Sequence, residues 1–216
     1  MKVEIWSDVA CPFCYIGKRS FEDALERFEH ADDVEVTWRS FQLDPTMPPS
    51  VEGGLDALLA KKYGKTPEEA RAMNQRVVEM AAGVGLEYRL DRAQPGNTLD
   101  AHRLLHLARD RGVGDAVKER LLRGYFVEGE LLSDHPTLVR LGAEAGLDAD
   151  EAERVLAGDA YATTVQAEAA EAQQLGLNGV PAFVLDRRLL VSGAQPPESL
   201  LGALQQAWEG REVAAG

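Results

Sequence analysis

The only two cysteines of the chain, Cys11 and Cys14, are separated by two residues in "SDVACPFCYIG". Thiols at this spacing can hold a metal ion, close a structural clip, or exchange electrons with another thiol. A second cluster with chemical potential is "HRLLH", which puts His102 and His106 four residues apart on one helical face, a spacing metals use. A zinc site would have to join these distant segments, far outside finger-type spacing. His102 on its own also fits a helix-face histidine satisfied by hydrogen bonds.

Electron exchange asks for two unlike thiols. If Cys11 begins a helix, the free backbone N–H groups and positive dipole end face its sulfur and favour the thiolate. Cys14, one turn further in, is expected to be more buried. Cys11 then forms the mixed disulfide with a partner sulfur and Cys14 resolves it. Asp8 either caps this helix or sets a carboxylate against ionisation of Cys11, and the spacing leaves that sign open.

The elements that must position these residues follow from periodicity. "KVEIW" alternates and predicts a strand at 2–6, and helical spacing of Tyr15, Phe21, Leu25 and Phe28 predicts a helix over 11–28, with Pro12 at its first position. A second strand is expected at 34–43. Trp6 and Trp38 fall on these strands as core residues. Helices follow at 55–63, 67–83, 98–111, 114–128, 135–145, 149–157 and 160–174. Thr66, Pro67 and Glu69 form a helix-start signature, and Gly85, Gly112 and Gly146 fall at helix stops. Strands return at 181–186 and 188–193 around a turn at Asp186-Arg187, before a helix at 196–209 and a frayed tail "GREVAAG".

Neither end of the chain supplies enough strands for a stable sheet. One sheet built from both ends, interrupted by helices, is the economical solution. It brings the cysteines beside "GVPAF". The expected fold class is therefore α/β, with a discontinuous domain of 1–48 and 176–216 and a helical insertion of 49–175.

Composition narrows the function classes. Acidic residues exceed basic ones, 36 against 23, for a formal net charge of -13. That disfavours nucleic acid and anionic membrane surfaces as partners. No apolar run approaches the roughly 20 residues of a membrane span. "MKVEIWSD" lacks the apolar core of a signal peptide, so a cytoplasmic location is expected. In a reducing cytosol a C-x-x-C pair reads as catalytic or metal-binding ahead of static.

"SDVACPFCYIGKRSFEDAL", "NTLDAHRLLHLA", "GYFVEGELLSDHPTLVRLGAEAGLD" and "GLNGVPAFVLDRRLLVSGAQPPESLLGAL" resemble, in order, the FrnE-type branch of the DsbA family. The resemblance covers nearly the whole chain. It implies a thioredoxin-like fold with a large all-helical insertion and a redox pair Cys11 and Cys14. It also implies a cis-proline at Pro181 after Val180, packed against the pair. A substrate peptide would pair with the backbone of Val180 and meet Pro12 and Phe13. The resemblance further places "NTLDAHR" on a helical lid, making Asn97 and His102 candidate substrate contacts. Tyr125 and Phe126 are core residues or walls of that cleft.

This reading gives a thiol-disulfide oxidoreductase or isomerase acting on protein or small-molecule thiols, as monomer or homodimer. The disulfide itself carries the electrons, with no bound metal or organic cofactor. One departure matters: DsbA has histidine between its cysteines and is a strong oxidant. Phe13 offers a thiolate neither a hydrogen bond nor a charge, so a less oxidising couple is expected. A weaker resemblance to 2-hydroxychromene-2-carboxylate isomerases and kappa-class glutathione transferases gives the alternative. That is a glutathione-dependent isomerase or transferase for an aromatic or polyketide-like molecule, with serine at the Cys11 position. Glutathione would then sit near Val180 and Ser192–Gln195. A binding module with incidental cysteines is the third reading.

Overall fold

The computed structural model describes residues 1–215, with side chains described through Arg211. Gly216 lies outside the described residues. The chain divides into two compact units, Met1–Leu43 with Glu168–Gly216, and Asp44–Ala167.

The first unit holds β1 (Lys2–Ser7), α1 (Pro12–Glu26), β2 (Glu35–Ser40), β3 (Ala182–Leu185), β4 (Leu189–Ser192) and α9 (Pro197–Ala215). Its single sheet has the order β2-β1-β3-β4. The β1–α1–β2 crossover makes the first pair parallel, while β3 runs antiparallel to both β1 and β4. Strand residues alternate between faces. Val3, Ile5, Phe183 and Leu185 therefore meet Phe21, Ala24 and Phe28 of α1 and Leu200 and Leu204 of α9. Trp6, Ala182 and Val184 take the other face with Ala172 and Leu177.

The limits of these units differ from the expected domain limits. The units meet at 43/44 and 167/168, whereas the expected limits were 48/49 and 175/176. The cause is Glu168 on α8 (Ala162–Gln174). Its carboxylate accepts from Ser40 N at 2.7 Å and Arg39 Nη1 at 2.8 Å, and its carbonyl accepts from Trp6 Nε1 at 3.1 Å. The end of α8 thus belongs with the sheet. The last helix also runs through the expected frayed tail as far as Ala215. Arg188 Nη1 donates to the Gly210 carbonyl at 3.1 Å, and Arg211 pairs with Asp186 at 3.2 Å. The second strand is shorter than expected and stops at Ser40.

The second unit is helical: α2 (Gly54–Tyr63), α3 (Pro67–Ala82), α4 (Leu99–Asp110), α5 (Gly114–Arg123), α6 (His135–Glu144), α7 (Ala149–Ala157) and the start of α8. A wider π-type turn, Gly124–Glu128, replaces the expected end of the fifth helix. Helix α3 opens on a reciprocal box: Glu69 N donates to Thr66 Oγ1 at 3.2 Å, and Thr66 N to Glu69 Oε2 at 2.9 Å. Leu104, Leu107, Leu121, Leu122, Leu138 and Leu141 form its buried interior.

Two features pin the sheet. Glu4 of β1 is 1% exposed, yet charged. Arg187 Nε donates to its Oε2 at 2.7 Å and Arg39 Nε to its Oε1 at 2.9 Å. Hydrogen bonds from Arg187, then from Arg39, outweigh burial and hold its carboxyl down at about 2. The second feature is Gly17 on α1. A Cβ there would stand 2.8 Å from Pro181 Cγ and 3.4 Å from the Phe183 ring.

Glu4→Gln is expected to destabilise the protein by about 3 kcal/mol at neutral pH, because it strands part of a buried charge pair. The folded carboxyl titrates below the unfolded value of 4.5, so its contribution is complete above that pH and is lost as pH falls towards about 2. Urea denaturation across that window should show the gap between wild type and Glu4→Gln closing with acid. Gly17→Ala should destabilise by about 1–3 kcal/mol through overpacking on a rigid ring. That outcome reverses the roughly 1 kcal/mol gain expected from helix propensity alone, and thermal denaturation reads the sign.

Candidate active site

Cys11 is the N-cap of α1, in extended conformation at φ −92° and ψ 114°, and Pro12 fills the first helical position. Proline there removes a backbone N–H that would have had no partner. Cys14 N donates to the Cys11 carbonyl at 3.0 Å and closes the first turn. The two sulfurs therefore share one helix start, with Cys11 on the free end. Cys11 is 3% exposed and Cys14 1%, so the expected difference in burial is slight. The adjoining Phe13 is 38% exposed.

The Cys11 thiol donates to the carbonyl of Val180 at 3.5 Å. The Val180–Pro181 peptide bond is cis. Strand pairing sets this contact. Trp6 lies opposite Ala182, so the residues after β1 pass the residues before β3. On the outer side, Gly193 N donates to the Pro181 carbonyl at 2.8 Å and anchors the proline to the end of β4. Pro181 is buried and Val180 half-buried.

Asp8 is buried and does not cap α1, whose N-cap is Cys11. Its Oδ2 accepts from Leu43 N at 2.8 Å, and its carbonyl lies 3.4 Å from Cys11 N. The carboxylate thus ties the loop before the cysteines to the chain beyond β2.

The structure brings together Cys11, Pro12, Phe13, Cys14, Val180 and Pro181. Asn97 and His102 belong to the helical unit. Asn97 Nδ2 donates to the carbonyls of Pro45 at 3.2 Å and Met47 at 2.9 Å, and its Oδ1 accepts from Leu99 N at 2.9 Å. Its amide thus holds a loop to the start of α4. His102 is buried within α4. His106 Nδ1 lies 2.8 Å from Arg109 Nη2, and its ring stacks on Tyr161. Tyr125 and Phe126 are buried against each other, with Phe126 stacked on Tyr88. Among the described residues, no group of three or more His, Cys, Asp or Glu side chains is arranged to hold a metal ion. Gln195 Nε2 turns back onto the Ser192 carbonyl at 2.8 Å.

Two residues beside the pair escaped the sequence reading. Gly17 and Lys18 follow Cys14 by three and four residues, and helical spacing puts both on its face. That spacing was available as a signal. Lys18 is 1% exposed, although lysines at such positions ordinarily face solvent.

Comparison with known proteins places the fold among thiol oxidoreductases. A solved structure of a probable DsbA oxidoreductase from Streptomyces coelicolor is 48% identical, with a TM-score of 0.93 over 97% of this chain and 90% of that one. The uncharacterized protein YwbO of Bacillus subtilis is 26% identical over 89% of this chain and 90% of its own length. The cytosolic disulfide reductase DsbM of Pseudomonas aeruginosa, solved with glutathione, superposes at TM-score 0.66 over 97% of this chain and all of that one. At 19% identity, that last likeness is one of fold. The pattern of the DSBA-like thioredoxin domain matches residues 2–205, and with nearly the whole chain inside that match, this protein belongs to the DSBA-like thioredoxin domain family of oxidoreductases.

Proposed function

We propose that this protein is a cytoplasmic dithiol-disulfide oxidoreductase of the FrnE-type branch, working through a mixed disulfide on Cys11. The observation that carries the reading is the Cys11 sulfur at the N-cap of α1, 3.5 Å from the Val180 carbonyl, with Cys14 closing the same turn. The Cys11 thiolate attacks a substrate disulfide, and one substrate sulfur leaves as a thiolate and takes a proton from water. Cys14 then attacks Cys11, the mixed disulfide breaks, and the second substrate thiol departs. Two electrons pass from the dithiol to the substrate, and the reverse sequence oxidises a substrate dithiol.

The Val180 backbone is the edge on which an extended substrate pairs, and exposed Phe13 meets the residues flanking its sulfur. The electrons reside in the cysteines, so the cycle needs no bound metal or organic cofactor. Glutathione is a suitable small co-substrate, and the crystallisation of DsbM with it supports that choice. The net charge of -13 disfavours nucleic acid as a partner. Among the described residues, no helix is long and apolar enough to cross a membrane.

Insulin reduction with dithiothreitol as donor tests the reading. Cys11→Ser should abolish the catalysed rate, and Cys14→Ser should accumulate a mixed disulfide on Cys11 that mass spectrometry detects. Equal rates for wild type and Cys11→Ser would refute it. Phe13 between the cysteines sets a second expectation. Equilibration with glutathione buffers should place the couple below the roughly −120 mV of DsbA. Phe13→His should raise it by tens of millivolts, on the order of one thiolate hydrogen bond.

A further inference from the structure

Lys18 is the buried charge that the exchange reaction leaves unexplained. It is 1% exposed and sits one helical turn beyond Cys14, itself 1% exposed. Residues four apart on a helix have Cβ atoms about 5–6 Å apart, so the two side chains share one buried stripe. The stripe continues to Glu22, a further turn along. The Lys18 ammonium pairs with Glu22 Oε1, and Arg19 Nη1 holds the other oxygen at 2.6 Å. Glu22 is 41% exposed, so the ion pair reaches from the interior to solvent. The ammonium also stands 6.0 Å from the Trp38 ring.

The sheet presents a matching polar spot to this stripe. Ser7 and Ser40 are register partners at the ends of β1 and β2. Alternation from Ile5 and Trp38 puts both on the α1 face. Trp6 pairs with Ala182, so Ser7 stands opposite Pro181, on which Gly17 packs, and the serines lie level with the Gly17 and Lys18 turn of α1. Ser7 Oγ is buried with no hydrogen-bond partner among the described residues. A buried cation four residues beyond Cys14 and a buried hydroxyl with no hydrogen-bond partner among the described residues thus lie on the same α1 face of the sheet.

We infer that Lys18 is a positioning residue for the resolving step: its ammonium, moderated by Glu22, favours the ionised form of Cys14 that attacks the mixed disulfide. The inference rests on the dithiol reading above. Cys14 gives its proton to water, its thiolate bonds to the Cys11 sulfur, the bond from Cys11 to the substrate sulfur breaks, and that sulfur leaves carrying the electron pair. The charged and titratable groups around the stripe are Tyr15, Arg19 and Glu22 on α1 and Asp8 beyond β1. Strand β2 offers Trp38 and Ser40, and β3 and the residue before it offer uncharged Phe183 and Pro181. From α9, Glu198 is held by Arg27 at the far end of α1. Arg39 and Arg187 are engaged by Glu4 on the opposite face.

Stopped-flow reaction with dithiodipyridine, a neutral chromogenic disulfide, separates the two steps. The first thiopyridone released reports attack by Cys11, and the second reports resolution by Cys14. In Lys18→Met the ratio of second to first release rate should fall roughly tenfold near neutral pH, and the second-release profile should move to higher pH. Glu22→Gln, altered at the half-exposed end of the pair, should move that profile to lower pH. Lys18→Arg should restore most of the wild-type ratio. Second-release profiles of Lys18→Met and Glu22→Gln that both superimpose on wild type would overturn the inference while leaving the dithiol reading intact. Absence of any first release from wild type would remove both. If Lys18→Met fails to fold, the direction of the Glu22→Gln shift decides alone.

Discussion

The antiparallel pairing of β1 with β3 is the constraint on which the rest depends. It joins Ile5 to Phe183 and Trp6 to Ala182, residues far apart in sequence. The cysteine turn follows β1 directly, and Val180-Pro181 precedes β3 directly. Their meeting is therefore a consequence of register and needs no separate interaction. A slip of one residue would exchange the faces of every side chain on β3. Phe183 would leave α1 for the Trp6 side, and the Val180 carbonyl would lose its place beside the Cys11 sulfur. The placement of the cysteine turn beside Val180 thus rests on hydrophobic alternation, which excludes a one-residue slip by burying Val3, Ile5, Phe183 and Leu185 on one face.

Glu4 reinforces that register by a different means. A carboxylate inside a sheet gains little net stability over a well-packed apolar residue, because desolvation offsets its attraction to arginine. Its value lies in geometry. Arg39 comes from β2 and Arg187 from the turn between β3 and β4, so one carboxylate joins three sheet segments. Arg187 also reaches Glu171 at 2.7 Å and Arg39 reaches Glu168, extending the network to α8. An apolar residue at position 4 would tolerate neighbouring registers. The arginine forks require this one.

What was legible in the sequence was local. Pro12 at a helix start, the Thr66 and Glu69 box, and the turn at Asp186-Arg187 (both with positive φ) each encode their structure within a few residues. The single sheet built from both chain ends was also legible, because neither end could satisfy its strands alone. Less legible were features that depend on distant partners. Nothing near Glu168 announces that its carboxylate ends on Ser40, and this moved the unit boundary. The tail from Gly210 was expected to fray, but α9 continues through it, with Arg188 on the Gly210 carbonyl and Arg211 paired with Asp186. Asn97 drew attention as a polar residue on a presumed lid, and it serves a loop as a staple for two carbonyls. Lys18 was passed over because its type says surface, while its position, four after Cys14, says core.

The two cysteines show how little local chemistry is needed once position is fixed. They lie three residues apart on one helix start and both are buried, yet their backbones differ: Cys11 is extended at the N-cap and Cys14 is helical. Proline between them enforces that difference, since its fixed φ suits the first helical position and its missing N–H leaves no unmet donor. Phenylalanine beside it adds no charge. In the proposed cycle, the asymmetry between attacking and resolving thiol comes from the start of a helix at Cys11. In that cycle the backbone distinguishes the two thiols, and the dipeptide is left to set the poise of the couple and the fit of the substrate.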